Sequence, residues 1–486
     1  MRDTGVITLY EFERKPVREL RELGLNITGR ELMRFAEVVN SLYGMENPVL
    51  TVEYDPRKDE YYLRTHGNVG FSYYFDRDRV VLIQILPKPF KHDKGSGRSL
   101  RFFLHLLNMH YQMNLSPKEI KTLSIEYGRR NSFDELFKYL YVLMLSKALS
   151  RGLYYEYGER EEHSQTLKGR IMMNELVRKP PWKTELPMKY SLLMEDNPLN
   201  RVLKGALKAT VRSARLNETR KVGGMLLDVF RNVGEPTERD FARVSFNHLN
   251  ERFKTVFRLA TAIYFGLRLD RSSRFLPGMF VRMDELFETL VYKTLKAALG
   301  HEAEVRFQMQ LPHVIKNAKE VEARFKALFM MGNPLPDIVI ATDSGTCVVE
   351  VKYRNLYIYH RGENRHHRKI VRKSEELYQV YTYSRLVGEY RKTGKVPVLL
   401  VYPRLEGVYN HWIPDIFSAR PEEVFEFFDG TKIGIFGYEL SAIGSEILLR
   451  RNSVILDDET TETLKSFLLS LCSSGSLKAG SATGRG

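Results

Sequence analysis

Cysteine is almost missing from this chain: Cys347 and Cys472 are the two in 486 residues, which excludes a disulfide framework and a cysteine-built zinc cluster as the basis of the fold. Long apolar runs are missing too. No stretch reaches the roughly 18 apolar residues of a membrane span, and the opening MRDTGVITLYEFERK lacks the apolar run of a signal peptide. A cytoplasmic protein is the expectation. A nucleotide motor is also absent, because residues 388–396 (GEYRKTGKV) hold one residue too many for a phosphate-binding loop and carry Val where Ser or Thr must reach Mg²⁺. No internal repeat is visible.

Acidic residues are in deficit. Lys and Arg number 75 against 60 Asp and Glu, a formal net charge of +15, which favours a polyanionic partner. The excess is concentrated. Residues 352–404 hold 13 Lys and Arg against 4 Asp and Glu, so 13 − 4 gives +9 there. Arg365, Arg368, Lys369, Arg372 and Lys373 cluster in that segment beside Tyr357 and Tyr359, a composition suited to phosphate contacts that carry affinity without sequence choice. His360, His366 and His367 lie among them, and a loop so rich in Arg reads as phosphate-binding before it reads as metal-binding. A second basic feature is the stripe Arg201, Lys204, Lys208, Arg212 and Arg215, which falls within about a quarter of a helix circumference. It fits a phosphate-tracking helix and a solvated bundle face equally well.

The segment that carries chemistry is 335–353 (LPDIVIATDSGTCVVEVKY). Two apolar runs, 338–340 and 347–351, flank Asp343-Ser-Gly345, the pattern of two short strands joined by a tight turn. Strand alternation then puts Val348, Glu350 and Lys352 on one face and Cys347, Val349 and Val351 on the other. Asp337 stands at the mouth of the neighbouring strand. Two carboxylates and an ammonium in the order P-D-x12-E-x-K are what metal-dependent phosphodiester cleavage requires: acids to hold Mg²⁺ and a cation to orient water or meet developing charge.

Both flanks are helical by pattern. Residues 283–295 (MDELFETLVYKTL) are amphipathic, with Glu288 at the border of the apolar stripe as the third acid, Glu285 near the opposite face, and Asp284 suited to the helix start. Residues 374–387 (SEELYQVYTYSRLV) form a helix capped by Ser374, where Gln379 and Tyr383, four apart, share a face. A buried strand at 396–402 (VPVLLVY) follows. Helix, strand, strand, helix, strand is the order of the PD-(D/E)xK nuclease core, and the Gln-x-x-x-Tyr pair resembles the supporting motif of RecB-like nucleases.

The expected fold is α/β and multidomain. Residues 1–128 read as a mixed module, with strand-like runs at 49–54, 61–65 and 80–86, a loop at 94–98 and a helix at 100–111; 129–280 read as mostly helical, with 133–149 and 247–265 clearest. Residues 281–455 hold the nuclease core and 456–486 a C-terminal helix and tail, with 472–486 (CSSGSLKAGSATGRG) read as disordered.

Further blocks stand out along the chain: residues 80–88 (VVLIQILPK), Arg151-Gly-Leu153 with Tyr157, 167–171 (LKGRI), 196–204 (DNPLNRVLK), Leu286-Phe-Glu288, Pro336-Asp337, 350–353 (EVKY) and Leu377-Tyr-Gln379. Through these blocks most of the chain resembles the McrC family of McrBC modification-dependent restriction systems. One departure is Glu350, where the family more often has Asp. The resemblance implies an Mg²⁺-dependent (or Mn²⁺-supported) type IV endonuclease subunit. Its partner would be a hexameric AAA+ GTPase, McrB-like, which uses the GTP and reads the modified base. The N-terminal part would enter the ring and stimulate hydrolysis, and two nuclease domains would pair on double-stranded, methylated DNA. Two other readings stay open: a stand-alone PD-(D/E)xK nuclease of repair or defence, and a GTPase-activating assembly subunit with weak nuclease activity.

Overall fold

The computed structural model describes residues 4–41, 48–76, 79–88, 97–130, 133–167, 169–178, 180, 182–266, 275–311, 335–353, 357–362, 365–370, 374–404, 423–440, 449–450, 454–455 and 458–473. They form a mixed α/β protein of two compact units. One gathers residues 1–66, 70–85 and 130–281; the other gathers 67–69, 86–129 and 282–486. The units therefore interleave along the chain, whereas the sequence division runs in order with cuts near 128, 280 and 455.

In the first unit a four-stranded sheet has the order Thr4–Tyr10, Arg79–Leu86, Asn68–Asp76, Phe275–Arg282. Gly278 lets the last two strands cross closely, since a Cβ there would lie 1.9 Å from the Phe71 carbonyl oxygen and its φ is +76°, a region that favours glycine. Beside this sheet, Leu50–Asp55, Glu60–Thr65 and Arg14–Pro16 form a three-stranded sheet. The helix Gly29–Asn40 packs there through Leu32, Phe35 and Val39, opened by a Thr28–Glu31 capping box. The helices Phe133–Leu149, Pro198–Ser213 and Lys254–Gly266 make up the helical part. The first has the bounds read from the sequence, while the third starts after a short 3-10 turn at Glu251–Phe253 rather than at 247.

The region read as mostly helical also contains a three-stranded sheet, Glu156–Ser164, Leu186–Met194 and Arg170–Ile171. Its first strand shows no buried residue, so the apolar periodicity that announces a half-buried strand is absent. Around it Tyr157, Leu167, Met173, Val177 and Trp182 are exposed.

The second unit is built on a six-stranded sheet, in the order Ala303–Phe307, Ile338–Thr342, Gly345–Val351, Val398–Arg404, Lys432–Glu439, Glu423–Glu426. Ile338–Thr342 and Gly345–Val351 form the expected antiparallel hairpin; Gly345–Val351 then runs parallel to Val398–Arg404. Helix Ser374–Arg391 covers one face, where Val380, Tyr383 and Val387 pack with Val348, Val398 and Leu400. On the Cys347 face lies helix Asp458–Ser473, whose Phe467 meets Phe436 and Gly434. Cys472 is thus a buried helical residue and not the start of a tail; its neighbours Leu468 and Leu471 are buried too, and that apolar face holds the helix to its end. Residues 474–486 lie outside those described.

Candidate functional site

The hairpin places the motif at one end of the sheet. Asp337 precedes the first strand and Glu350 sits next to last on the antiparallel second strand, so both reach the same rim. Two bonds hold that rim: the Val351 N–H donates to Asp337 Oδ2 at 2.7 Å, and the Lys352 N–H donates to the Val401 carbonyl at 2.9 Å. One carboxylate oxygen of Asp337 is therefore fixed by backbone.

Glu350 is 1% exposed. Its Oε1 accepts from Lys352 Nζ at 2.7 Å, while its Oε2 is buried with no hydrogen-bond partner. Such an atom costs free energy unless something positive meets it. Burial pushes the Glu350 carboxyl up, with Lys352 and the Asp337 backbone amide opposing. Asp337 is pushed up to about 7 by burial and then by the charge of Glu350. Glu288, on helix Met283–Leu299, is pushed up to about 8 by burial and then by Asp337, with Asp284, Glu285 and Glu350 adding to it. Three carboxyls that resist ionising together form a locus of unmet negative charge.

Lys352 Nζ also donates to Gln379 Oε1 at 3.3 Å, and Gln379 Nε2 donates to the Tyr383 hydroxyl at 3.1 Å. The structure thus joins Glu350, Lys352, Gln379 and Tyr383 in one chain of hydrogen bonds. Among the helix acids, Asp284 and Glu285 are engaged by Arg282, Asp284 through two guanidinium nitrogens and Glu285 at 3.4 Å. For Glu288 the neighbouring charge that weighs most is Asp337, and Asp337 in turn feels Asp284. Arg282 was not singled out by sequence reasoning, yet it is the cation beside these acids; the signal was an Arg directly before the helix with acids two and three residues on.

Among the described residues no three His, Cys, Asp or Glu side chains gather closely enough to cage an ion. The donor set nevertheless fits Mg²⁺, which takes one or two carboxylates and fills the rest with water and substrate oxygens. Asp337 with the orphaned Oε2 of Glu350 meets that requirement, and Glu288 adds charge rather than completing a cage.

The basic residues separate into two groups. In the stripe, Arg201 pairs with Asp196 at 2.7 Å and lies 3.7 Å from Asp240, Lys204 donates to the Val233 carbonyl, Lys208 pairs with Glu235, and Arg215 pairs with Asp134 at 2.7 Å. These four charges are met within the fold; Arg212 is the remaining member. Arg365, Arg368 and Lys369 lie on the strand Arg365–Ile370, which pairs antiparallel with Tyr357–Gly362 and brings His360 opposite His367. Arg372 and Lys373 lie outside the described residues.

Residues 63–403 match the family described as McrBC 5-methylcytosine restriction system component. No curated protein matches. Among solved structures, a chain of the refined half-complex from the tetradecameric assembly of Thermococcus gammatolerans McrB AAA+ hexamers with bound McrC is 22% identical, with 96% of this chain and 99% of that chain covered at a TM-score of 0.57. A chain of the Thermococcus gammatolerans McrBC complex, solved by cryo-EM, is 24% identical, with 61% and 88% covered and a TM-score of 0.41. The first of these likenesses is one of fold along nearly the whole chain.

Proposed function

This chain belongs to the McrBC 5-methylcytosine restriction system component family, and from that premise we propose that it is the Mg²⁺-dependent DNA endonuclease subunit of a modification-dependent restriction complex, with a PD-(D/E)xK site at Asp337, Glu350 and Lys352. The observation that carries this reading is Glu350: a buried carboxylate with one oxygen on Lys352 and the other without a partner.

Asp337 and Glu350, with Glu288 beside them, would hold Mg²⁺, which when bound supplies charge neutralisation and activates water. The protein's own groups do the positioning. The Val351 amide holds Asp337 in place from one side. Gln379 holds the Lys352 ammonium, Tyr383 holds the Gln379 amide, and Lys352 is thereby set to orient the attacking water or meet negative charge growing on the phosphate. Phosphate contacts come from the basic segment 352–373, with Arg365, Arg368, Lys369, Arg372 and Lys373 as candidates and Arg212 as the free member of the stripe.

The partner is a McrB-like AAA+ GTPase that this subunit stimulates. Support comes from the family, from likeness of fold to a chain in an assembly of McrB AAA+ hexamers with bound McrC, and from the apolar side chains exposed around the Glu156–Ser164 sheet, a surface that favours being covered. The test is cleavage of methylated and unmethylated DNA with Mg²⁺, by this chain alone and with the GTPase and GTP, while phosphate release is recorded. Cutting only with partner and GTP, alongside faster hydrolysis, is the expected result. Efficient cutting by the chain alone would make it a self-sufficient nuclease, and faster hydrolysis without cutting would make it an assembly subunit.

A further inference from the structure

Arg282 stands at the N-cap of helix Met283–Leu299, where it makes no side-chain cap and where the helix dipole disfavours a positive charge. Its Nε and Nη2 hold the two carboxylate oxygens of Asp284, Nε at 3.1 Å, and its Nη1 lies 3.4 Å from Glu285. The Arg282 and Asp284 side chains are each 38% exposed, and a pair so open to water adds little to stability. Neither the helix start nor the ion pair accounts for an arginine here.

Packing sets this residue beside the motif. The ring of Phe287, next to Glu288, meets the ring of Tyr353, next to Lys352, at 5.5 Å. Asp284 and Glu285 stand four and three positions before Glu288, so the three acids share one face of the helix at that end. The guanidinium is oriented there and only partly engaged. Of its five N–H groups, those on the Nε–Nη2 edge serve Asp284, and it makes no other hydrogen bond among the described residues. Lys352, the other cation, is 19% exposed and held by Glu350 and Gln379. Arg282 is the more reachable of the two.

From this placement we infer that Arg282 binds a backbone phosphate of DNA at the candidate site, through the N–H groups that Asp284 leaves open. Charge calls for such a contact: the ionised carboxylates of Asp284, Glu285, Glu288, Asp337 and Glu350 outweigh Arg282, Lys352 and one divalent ion together, so a phosphodiester is admitted only where a cation faces it directly. A guanidinium suits this place because its planar fork can take two phosphate oxygens at once. Asp284 is then a positioning residue, holding the fork ready so that little side-chain freedom is lost when DNA arrives. The inference rests on the nuclease reading and adds a substrate contact to it.

The test is binding of duplex DNA to the whole chain, followed by fluorescence anisotropy over a range of salt, with Ca²⁺ in place of Mg²⁺ to hold back cleavage. Arg282→Gln should raise Kd about 10-fold and lower the slope of log Kd against log salt by about one. Arg282→Lys should keep the slope and recover only part of the affinity, having the charge without the fork. With duplexes that each carry one neutral methylphosphonate, the loss caused by Arg282→Gln should vanish at one position and persist at the others. Mn²⁺ binding by the DNA-free chain should hold or tighten, since a cation has left the neighbourhood of the acids. An unchanged salt slope, or the same loss with every modified duplex, would overturn the inference. Weaker Mn²⁺ binding that accounts for the lost DNA affinity would do so too, because Arg282 would then act through the metal site. If the unaltered chain neither binds nor cuts DNA, alone or with the GTPase and GTP, the nuclease reading fails and this inference falls with it.

Discussion

Two buried ionic clusters in this protein answer the same problem in opposite ways. In the first unit, Asp134, Glu135 and Lys138 are all within 1% of complete burial. Lys138 Nζ reaches Asp134 at 3.2 Å, Glu135 at 2.8 Å and the Ser213 carbonyl at 3.1 Å; Tyr73 donates to Asp134 at 2.5 Å; Arg215 donates to the other Asp134 oxygen at 2.7 Å. Glu135 Oε2 takes the amides of Arg215 and Leu216, both at 3.0 Å, at the start of helix Asn217–Val229, where the helix dipole favours an anion. Every carboxylate oxygen there has a donor. At the candidate site two cations, Arg282 and Lys352, stand among five acids, and one oxygen of Glu350 has none. The acidities follow: Asp134 is held below the usual carboxylate range, with Lys138 and Arg215 outweighing burial, whereas Asp337 and Glu288 are pushed up. A satisfied cluster fastens the fold, and an unsatisfied one is poised for a ligand.

The comparison is broken most sharply by Asp337→Asn. Cleavage should fall by on the order of 10³-fold or more, the several kcal/mol a correctly held ion contributes, while stimulation of the GTPase persists and the metal-free thermal midpoint holds or rises. A lower midpoint would mean that Asp337 is satisfied after all. Loss of both activities in a folded protein would sink the division of labour.

Lys138→Met should do the reverse, lowering stability by about 3–5 kcal/mol because Asp134 and Glu135 lose their shared cation in a dry site, as read from denaturant unfolding. A cost below about 1 kcal/mol would mean that water reaches the cluster. Smaller again is Gln379→Ala, which frees Lys352 without touching a carboxylate; kcat should drop about 10–100-fold, as for other supporting groups, with KM little changed. An effect confined to KM would assign Gln379 to DNA binding instead.

The gentlest test is pH. Asp337 and Glu288 bind protons more tightly folded than unfolded, so their contribution to stability without metal falls as pH rises from the ordinary carboxylate values of 3.8 and 4.5 towards about 7 and 8. Asp134, held low, contributes stability above its ordinary value of 3.8 and loses it as pH falls below that. Thermal midpoints in EDTA between pH 5 and pH 9 should fall less steeply with rising pH in Glu288→Gln than in the unaltered chain. Parallel curves would show that Glu288 does not carry the shift.

Much of this was legible in residue order. The helix Phe133–Leu149, the hairpin around Asp343 to Gly345 and the shared face of Gln379 and Tyr383 follow from periodicity and turn chemistry. The basic stripe was legible only as a stripe. Its pairing partners Glu235, Asp240 and Asp134 come from distant positions, and no helical spacing reveals them. The strands Glu156–Ser164 and Leu186–Met194 were hidden for another reason: with little to bury, they alternate in no useful way.

By itself, the sequence determined the local elements and the set of chemical groups: which helices have an apolar face, which strands alternate, and that Asp337, Glu350 and Lys352 are available near one turn. Those properties depend on residues a few positions apart, and short-range sterics and periodicity express them directly. Tertiary structure alone decided which charges are met and which are left. It set Lys352 on one oxygen of Glu350 and left the other bare, paired four members of the stripe and buried Cys472. Each of these depends on groups far apart in the chain meeting in a medium where water cannot compensate, a condition that exists only once the chain has packed.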